Sequence, residues 1–146
     1  MIKAADHIGV CVYDMDKLIP FYQDILGLEK TADFEMTGKF LDTVQGKSDM
    51  DYRIVKFVSP EGFMFEFLQD RGHKIYPQTG NPLQGAGFRH FAFEVDDVDG
   101  FYEKVKAAGC ETLSAPCTSE DGSMRLFFVR DPEMNLVELM QLRGGK

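Results

Sequence analysis

Histidine opens two similar stretches of the chain, HIGVCVYD at residues 7–14 and HFAFEVDD at residues 90–97. Glutamate recurs inside two others, Glu66 in PEGFMFEFLQ (60–69) and Glu138 in PEMNLVELMQ (132–141). Two imidazoles and two carboxylates can bind a divalent ion through mixed N/O ligation. Such an ion polarises substrate oxygens and stabilises the enolate or enediolate left when a proton departs next to a carbonyl; a nearby carboxylate can carry that proton. Glu66 is flanked on its strand face by Met64 and Leu68, and Glu138 by Leu136 and Met140. A carboxylate so placed is costly to bury unless it is paired or metal-bound. A single strand histidine or glutamate is more often a core or surface residue than a ligand. The four together, at equivalent places of a repeat, point to one shared divalent-metal site; the alternative is that they are structural relics of duplication.

The elements that must position these residues follow from periodicity. In DHIGVCV, Ile8, Val10 and Val12 alternate with His7, Gly9 and Cys11, the period of a half-buried strand. YDMDKLIPFYQDILGL then changes to helical spacing through Leu18, Tyr22, Ile25 and Leu26, with Asp14 or Asp16 at its start, Gly27 at its exit and Pro20 near the first turn. Strands are predicted around Lys30–Phe34, Arg53–Val58 and Phe63–Gln69. The second half repeats the order: RHFAFEV is a strand, DDVDGFYEKVKAAG a helix ending at Gly109, and ETLSA, RLFFV and NLVELMQ three further strands. Residues 60–69 align with 132–141 without a gap, the mark of two copies of one supersecondary unit. The fold class predicted is α+β, two tandem βαβββ modules (1–70 and 86–143) joined by a linker over 71–85 in one domain spanning 1–146. The first copy is longer between its helix and its third strand, and that excursion, around residues 36–50, is predicted as a loop with a short helical turn, a candidate substrate cover. Gly9 and Ala92, each two residues after a histidine, leave room beside a metal or serve close packing.

Composition narrows the function. The chain has 146 residues, 44% apolar and 27% charged, with a formal net charge of −8. An acidic chain lacks the basic face a nucleic-acid partner requires. No apolar run approaches the roughly 20 residues that span a bilayer, and the opening residues do not resemble a signal peptide. Cys11, Cys110 and Cys117 are odd in number and have no metal-type spacing, so a reducing cytoplasm and structural thiols are expected. His73, without a repeat partner, is expected to be a solvated loop residue. Tyr76, Phe40 and Arg125 are candidates for lining a cavity.

With these motifs in view, the chain resembles the vicinal oxygen chelate superfamily, which includes glyoxalase I, methylmalonyl-CoA epimerase, extradiol dioxygenases and fosfomycin- and bleomycin-resistance proteins. DHIGVCVYDMDKLIPFYQDILGL looks like the family's opening strand–helix–LGL segment and RHFAFEVDDVDGFYEKVKAAG like its second copy. DPEMNLVELMQ resembles the closing DPxGNxxEL motif, with Met134 in place of Gly. The resemblance implies an open, cavity-lining sheet and places His7, Glu66, His90 and Glu138 on the four metal-ligand positions, with Glu138 and Glu66 as candidate catalytic bases. It implies one divalent ion (Ni, Co, Zn, Mn or Fe), a small-molecule substrate and a homodimer in which ligands come from one chain or from two. His, Glu, His, Glu is the bacterial glyoxalase I pattern, so a metal-dependent lyase or isomerase acting through an enediolate, with a hemithioacetal as substrate, is the first expectation. The arginine usual after the first strand is absent from GVCVYD, so glutathione use does not follow. The alternatives are a non-catalytic small-molecule binder of the resistance kind, an epimerase like that for methylmalonyl-CoA, and an extradiol-type dioxygenase.

Overall fold

The computed structural model describes residues 1–78 and 86–143, so residues 79–85 of the expected linker lie outside the described residues. Two compact units emerge, Met1–Pro77 and Gln78–Lys146. In the first, β1 (His7–Cys11) leads through α1 (Met15–Pro20) to β2 (Glu29–Thr37), α2 (Lys39–Gln45), β3 (Asp51–Val58) and β4 (Met64–Asp70). The sheet order is β1-β4-β3-β2, with β1 parallel to β4 and the other pairs antiparallel. In the second, β5 (His90–Glu94), α3 (Val98–Ala107), β6 (Cys117–Thr118), β7 (Met124–Arg130) and β8 (Leu136–Leu142) form the order β5-β8-β7-β6 with the same parallel first pair. Both units are βαβββ modules with open four-stranded sheets.

Each sheet has a helix-covered face that period two selects. In the first unit Met15, Leu18, Phe21 and Tyr22 are buried along with Val55, Phe57, Phe65 and Phe67. Tyr22 stacks at 4.6 Å from Phe67 and 6.0 Å from Phe57. In the second, Val98 and Val105 of α3 are buried and Tyr102 meets Phe127 edge-on at 5.3 Å. Burial of these apolar side chains, largely aromatic in the first unit and largely aliphatic in the second, stabilises each unit at about 25 cal/mol per Å² of apolar surface removed from water.

The helix junctions are built alike. Asp14 and Asp97 cap their helices, accepting from the backbone N–H of Lys17 and Gly100. Arg53 Nη1 donates to Asp16 (2.6 Å), and Arg125 donates through Nε and Nη2 to Asp99 (3.0 and 2.8 Å). Gln69 Nε2 donates to the carbonyl of Tyr13 at 2.9 Å, and Gln141 Nε2 to that of Asp96 at 2.5 Å. The glutamines that match between residues 69 and 141 therefore fasten the last strand to the first strand–helix turn. Arg125 clamps a helix start, which accounts for it without a cavity role.

Two local expectations need correction. The first helix does not run on as an α-helix: Pro20 has no N–H for the carbonyl of Asp16, and the following turn over Phe21–Ile25 is π-helical, with Leu26 N–H donating to Phe21 at 2.9 Å. The widened turn brings Phe21 into the core beside Tyr22. ETLSA is not a continuous strand either. Thr112 makes an isolated bridge to Val129, Leu113 N–H donates to Phe128, and ladder pairing resumes only at Cys117–Thr118. Pro116, which lacks a ladder donor, stands in the gap. The short helical turn predicted within residues 36–50 is α2.

The turns before the last strands share a backbone demand. Gly62 (φ 88°) and Met134 (φ 68°) both adopt left-handed conformations. In the second turn the buried Asp131 carboxylate holds the loop, accepting from the N–H of Glu133 and Asn135 and from Asn135 Nδ2, each at 2.9 Å. A side chain at positive φ costs about 1 kcal/mol relative to glycine. Met134→Gly is expected to raise unfolding free energy by up to about 1 kcal/mol, read as a higher urea midpoint at unchanged slope.

Several carboxyls lie below their ordinary range: Asp33 through its hydrogen bonds from Arg53, Asp99 through those from Arg125, and Asp121, at about 2, through Ser119 and Ser123. The unfolded chain takes up these protons first as pH falls, so the contribution is complete above the ordinary carboxylate value and is lost on acidification. The thermal midpoint is expected to fall between pH about 4 and about 2, as scanning calorimetry across that range would register.

Candidate metal centre

The candidate donors sit on the sheet faces opposite α1 and α3. In the parallel β1–β4 ladder Gly9 faces Glu66, and in β5–β8 Ala92 faces Glu138, so each histidine stands one same-face step from its glutamate. A Cβ on Gly9 would meet the tip of Leu68 at 3.4 Å, so the glycine keeps that position on the donor face small. At the far end of the first unit's face, α2 brings Leu41 over Tyr52 and Ile54, with Met36 and Leu68 packed against them. In the second unit α3 covers the other face, and the His90 side is free of helix among the described residues.

Each pair is closed to ligand-like distance. His7 Nε2 lies 3.5 Å from Glu66 Oε2, and His90 Nε2 lies 3.0 Å from Glu138 Oε2. The glutamates are 17% and 12% exposed and the histidines 41% and 34%, so carboxylates in need of partners meet rings that solvent and ligand can reach. Two donors each roughly 2.1 Å from one ion, at about a right angle, stand about 3 Å apart. The pairs therefore fit two adjacent ligand positions each. The pairs belong to different units, and among the described residues no three His, Cys, Asp or Glu side chains form a group able to hold a metal.

Two residues around the first pair are absent from the ligand set read from sequence. Asp6 Oδ2 lies 2.8 Å from His7 Nδ1. An ionised carboxylate only accepts, so it keeps the proton on Nδ1 and leaves the Nε2 lone pair directed at a ligand position. The residue ahead of His90 is Arg89, so the second pair has no counterpart. Lys56 places Nζ 3.1 Å from Glu66 Oε1. A lysine within the apolar run RIVKFV was the available signal, on the same strand face as the glutamate.

His73 is held just beyond the end of β4. Its Nδ1 lies 3.0 Å from Asp70 Oδ2, and the backbone N–H groups of Gly72 and His73 donate to Asp70 Oδ1. The ring is thus half-buried against the carboxylate at the end of β4 rather than fully solvated. Phe40 and Tyr76 are 72% and 73% exposed. All three cysteines are free thiols, and burial pushes the Cys110 thiol up, away from reactive thiolate. No helix among the described residues is long and apolar enough to cross a membrane.

With this geometry established, residues 4–139 match the Glyoxalase/Bleomycin resistance protein/Dioxygenase superfamily. A probable lactoylglutathione lyase of Vibrio parahaemolyticus is 26% identical over 140 residues, covering 92% of this chain and 88% of its own. A probable lactoylglutathione lyase of Synechocystis is 28% identical over 142 residues, covering 96% of each. Among solved structures, a glyoxalase family protein of Bacillus cereus superposes with a TM-score of 0.88 at 22% identity, over 99% of this chain and 97% of its own, a likeness of fold.

Removing Asp6 would free the His7 ring to rotate and change tautomer. Asp6→Ala is expected to weaken divalent-metal binding by roughly 10- to 100-fold, measured by titration calorimetry with Mn(II) or Zn(II). His73→Ala is expected to leave that affinity unchanged.

Proposed function

The chain belongs to the Glyoxalase/Bleomycin resistance protein/Dioxygenase superfamily, and from that premise we propose that it is a metal-dependent lyase or isomerase of the glyoxalase I type. The observation that carries the reading is the twice-repeated His/Glu pair, His7 with Glu66 and His90 with Glu138, on the donor face of each sheet. In this proposal the two pairs supply the ligands of one divalent ion, and the two units work as one domain. Each unit holds only two of the four ligands, so the set is completed within a chain or across a homodimer. A divalent ion held there would supply Lewis-acid polarisation of two neighbouring substrate oxygens.

The chain's own residues divide the remaining work. Glu138 Oε2 faces His90, which leaves Oε1 to take the proton from the carbon beside a substrate carbonyl and return it to the adjacent carbon. Glu66 has both oxygens engaged, Oε1 by Lys56 and Oε2 by His7, so it is the more firmly held of the two and the second candidate base. The apolar neighbours Leu136 and Phe128 limit water beside Glu138, where proton transfer gains from a lower dielectric. The similarity to lactoylglutathione lyases favours a hemithioacetal of a 2-oxoaldehyde as substrate. The thiol component stays open, because GVCVYD lacks the arginine that would speak for glutathione. The free thiols agree with the reducing cytoplasm proposed for it.

Elemental analysis of protein purified without added metal, followed by hemithioacetal turnover, tests the reading. One bound divalent ion and a turnover reduced by roughly 10²- to 10⁴-fold in Glu138→Gln are the expected outcome. Stoichiometric metal without turnover of hemithioacetals or 2-acyl thioesters would retain the site and defeat the activity.

A further inference from the structure

The two half-sites of the repeat also differ in charge across the ladder from their glutamates. Across the antiparallel ladder from Glu66 stands Lys56; across from Glu138 stands Phe128. Lys56 Nζ is 3.1 Å from Glu66 Oε1, with the two side chains 28% and 17% exposed, and it lies 5.8 Å from the centre of the Phe34 ring. Phe128 instead meets the His90 ring edge-on at 5.2 Å. The first donor pair therefore carries a compact positive charge and the second carries none at that place.

An ammonium beside a metal-binding carboxylate works against the metal. It competes for the charge of the same carboxylate and repels a second positive charge through a partly dehydrated site. The second unit shows that the sheet accepts an apolar residue there. With Glu66 engaged by a divalent ion, Lys56 has lost much of its counter-charge, and an incoming anionic group restores it. Resting on the metal-site reading above, we propose that Lys56 selects an anionic substrate. Of the compounds that can undergo proton transfer next to a carbonyl, hemithioacetals included, the site prefers those that carry an anionic group, such as a carboxylate, within reach of Lys56 Nζ when their oxygens face the metal. A neutral analogue of equal shape would leave a cation uncompensated, which is discrimination by an unsatisfied charge.

The test uses the full chain, Mn(II), and two small probes of nearly equal shape, pyruvate and its uncharged amide. Titration with Mn(II) alone comes first, on the unsubstituted chain and on Lys56→Met, Lys56→Gln and Lys56→Arg. The two neutral variants are expected to bind Mn(II) as tightly as the parent or more tightly. With Mn(II) saturating, the unsubstituted chain is expected to prefer pyruvate to the amide. Lys56→Met and Lys56→Gln are expected to lose about tenfold or more in pyruvate affinity with the amide unchanged, and Lys56→Arg to keep the preference. Equal binding of pyruvate and amide by the unsubstituted chain overturns the proposal. So does a weaker Mn(II) affinity in Lys56→Met with the pyruvate preference intact, which would make Lys56 a prop for Glu66 only. Failure of the unsubstituted chain to bind Mn(II) at all overturns the metal reading and this proposal together, and is seen before any probe is added.

Discussion

The parallel pairing of the first and last strands in each unit is the constraint on which the rest depends. A parallel pair cannot be closed by a hairpin; the chain must cross over, and the crossover helix then covers one face of the sheet. Period two divides the side chains accordingly. Phe65, Phe67, Val137 and Leu139 go to the helix, and Glu66 and Glu138 go to the other face beside His7 and His90. A slip of one residue in either ladder would bury the carboxylates under a helix and expose the core, so register and donor geometry stand or fall together.

The two units agree where they pack and differ where they are open. Asp14 and Asp97, Arg53 and Arg125, Gln69 and Gln141 all serve the junction of first strand, helix and last strand. These contacts hold the parallel pair in register, which makes them indirect supports of the histidines at the other end of the first strand. The donor faces are less symmetrical. Asp6 precedes one histidine and Arg89 the other, Lys56 faces one glutamate and Phe128 the other, and within its own unit α2 covers part of the first sheet. The shared features fix the strand pairing, and the unshared ones make the two donor faces chemically different.

Charge placement reinforces this division. Glu66 is held at both oxygens, and Glu138 by His90 alone among the ion pairs of the described residues. Two carboxylates in equivalent backbone positions are therefore not chemically equivalent. Their surroundings, one cationic and one aromatic, come from a single strand position in each unit.

Much of this was legible without coordinates, and for local reasons. Alternation assigns faces within a strand, Asp and Gly mark helix starts and exits, and the gapless match of 60–69 with 132–141 makes two modules out of one chain. Those signals brought out the His/Glu sets and the two βαβββ modules; the open sheets were implied by the family resemblance. Tertiary structure decided what depends on neighbours distant in sequence. The π-helical turn after Pro20 is stable because it seats Phe21 and Tyr22 in the core, and the second module's second strand breaks because its partner offers ladder positions that Pro116 cannot use. The Lys56–Glu66 contact depends on the pairing of β3 with β4, which periodicity leaves free by two residues in either direction. Sequence alone thus determined which residues can act, because side-chain alternation is a property of one strand; the fold decided which charges meet, because register is a property of two.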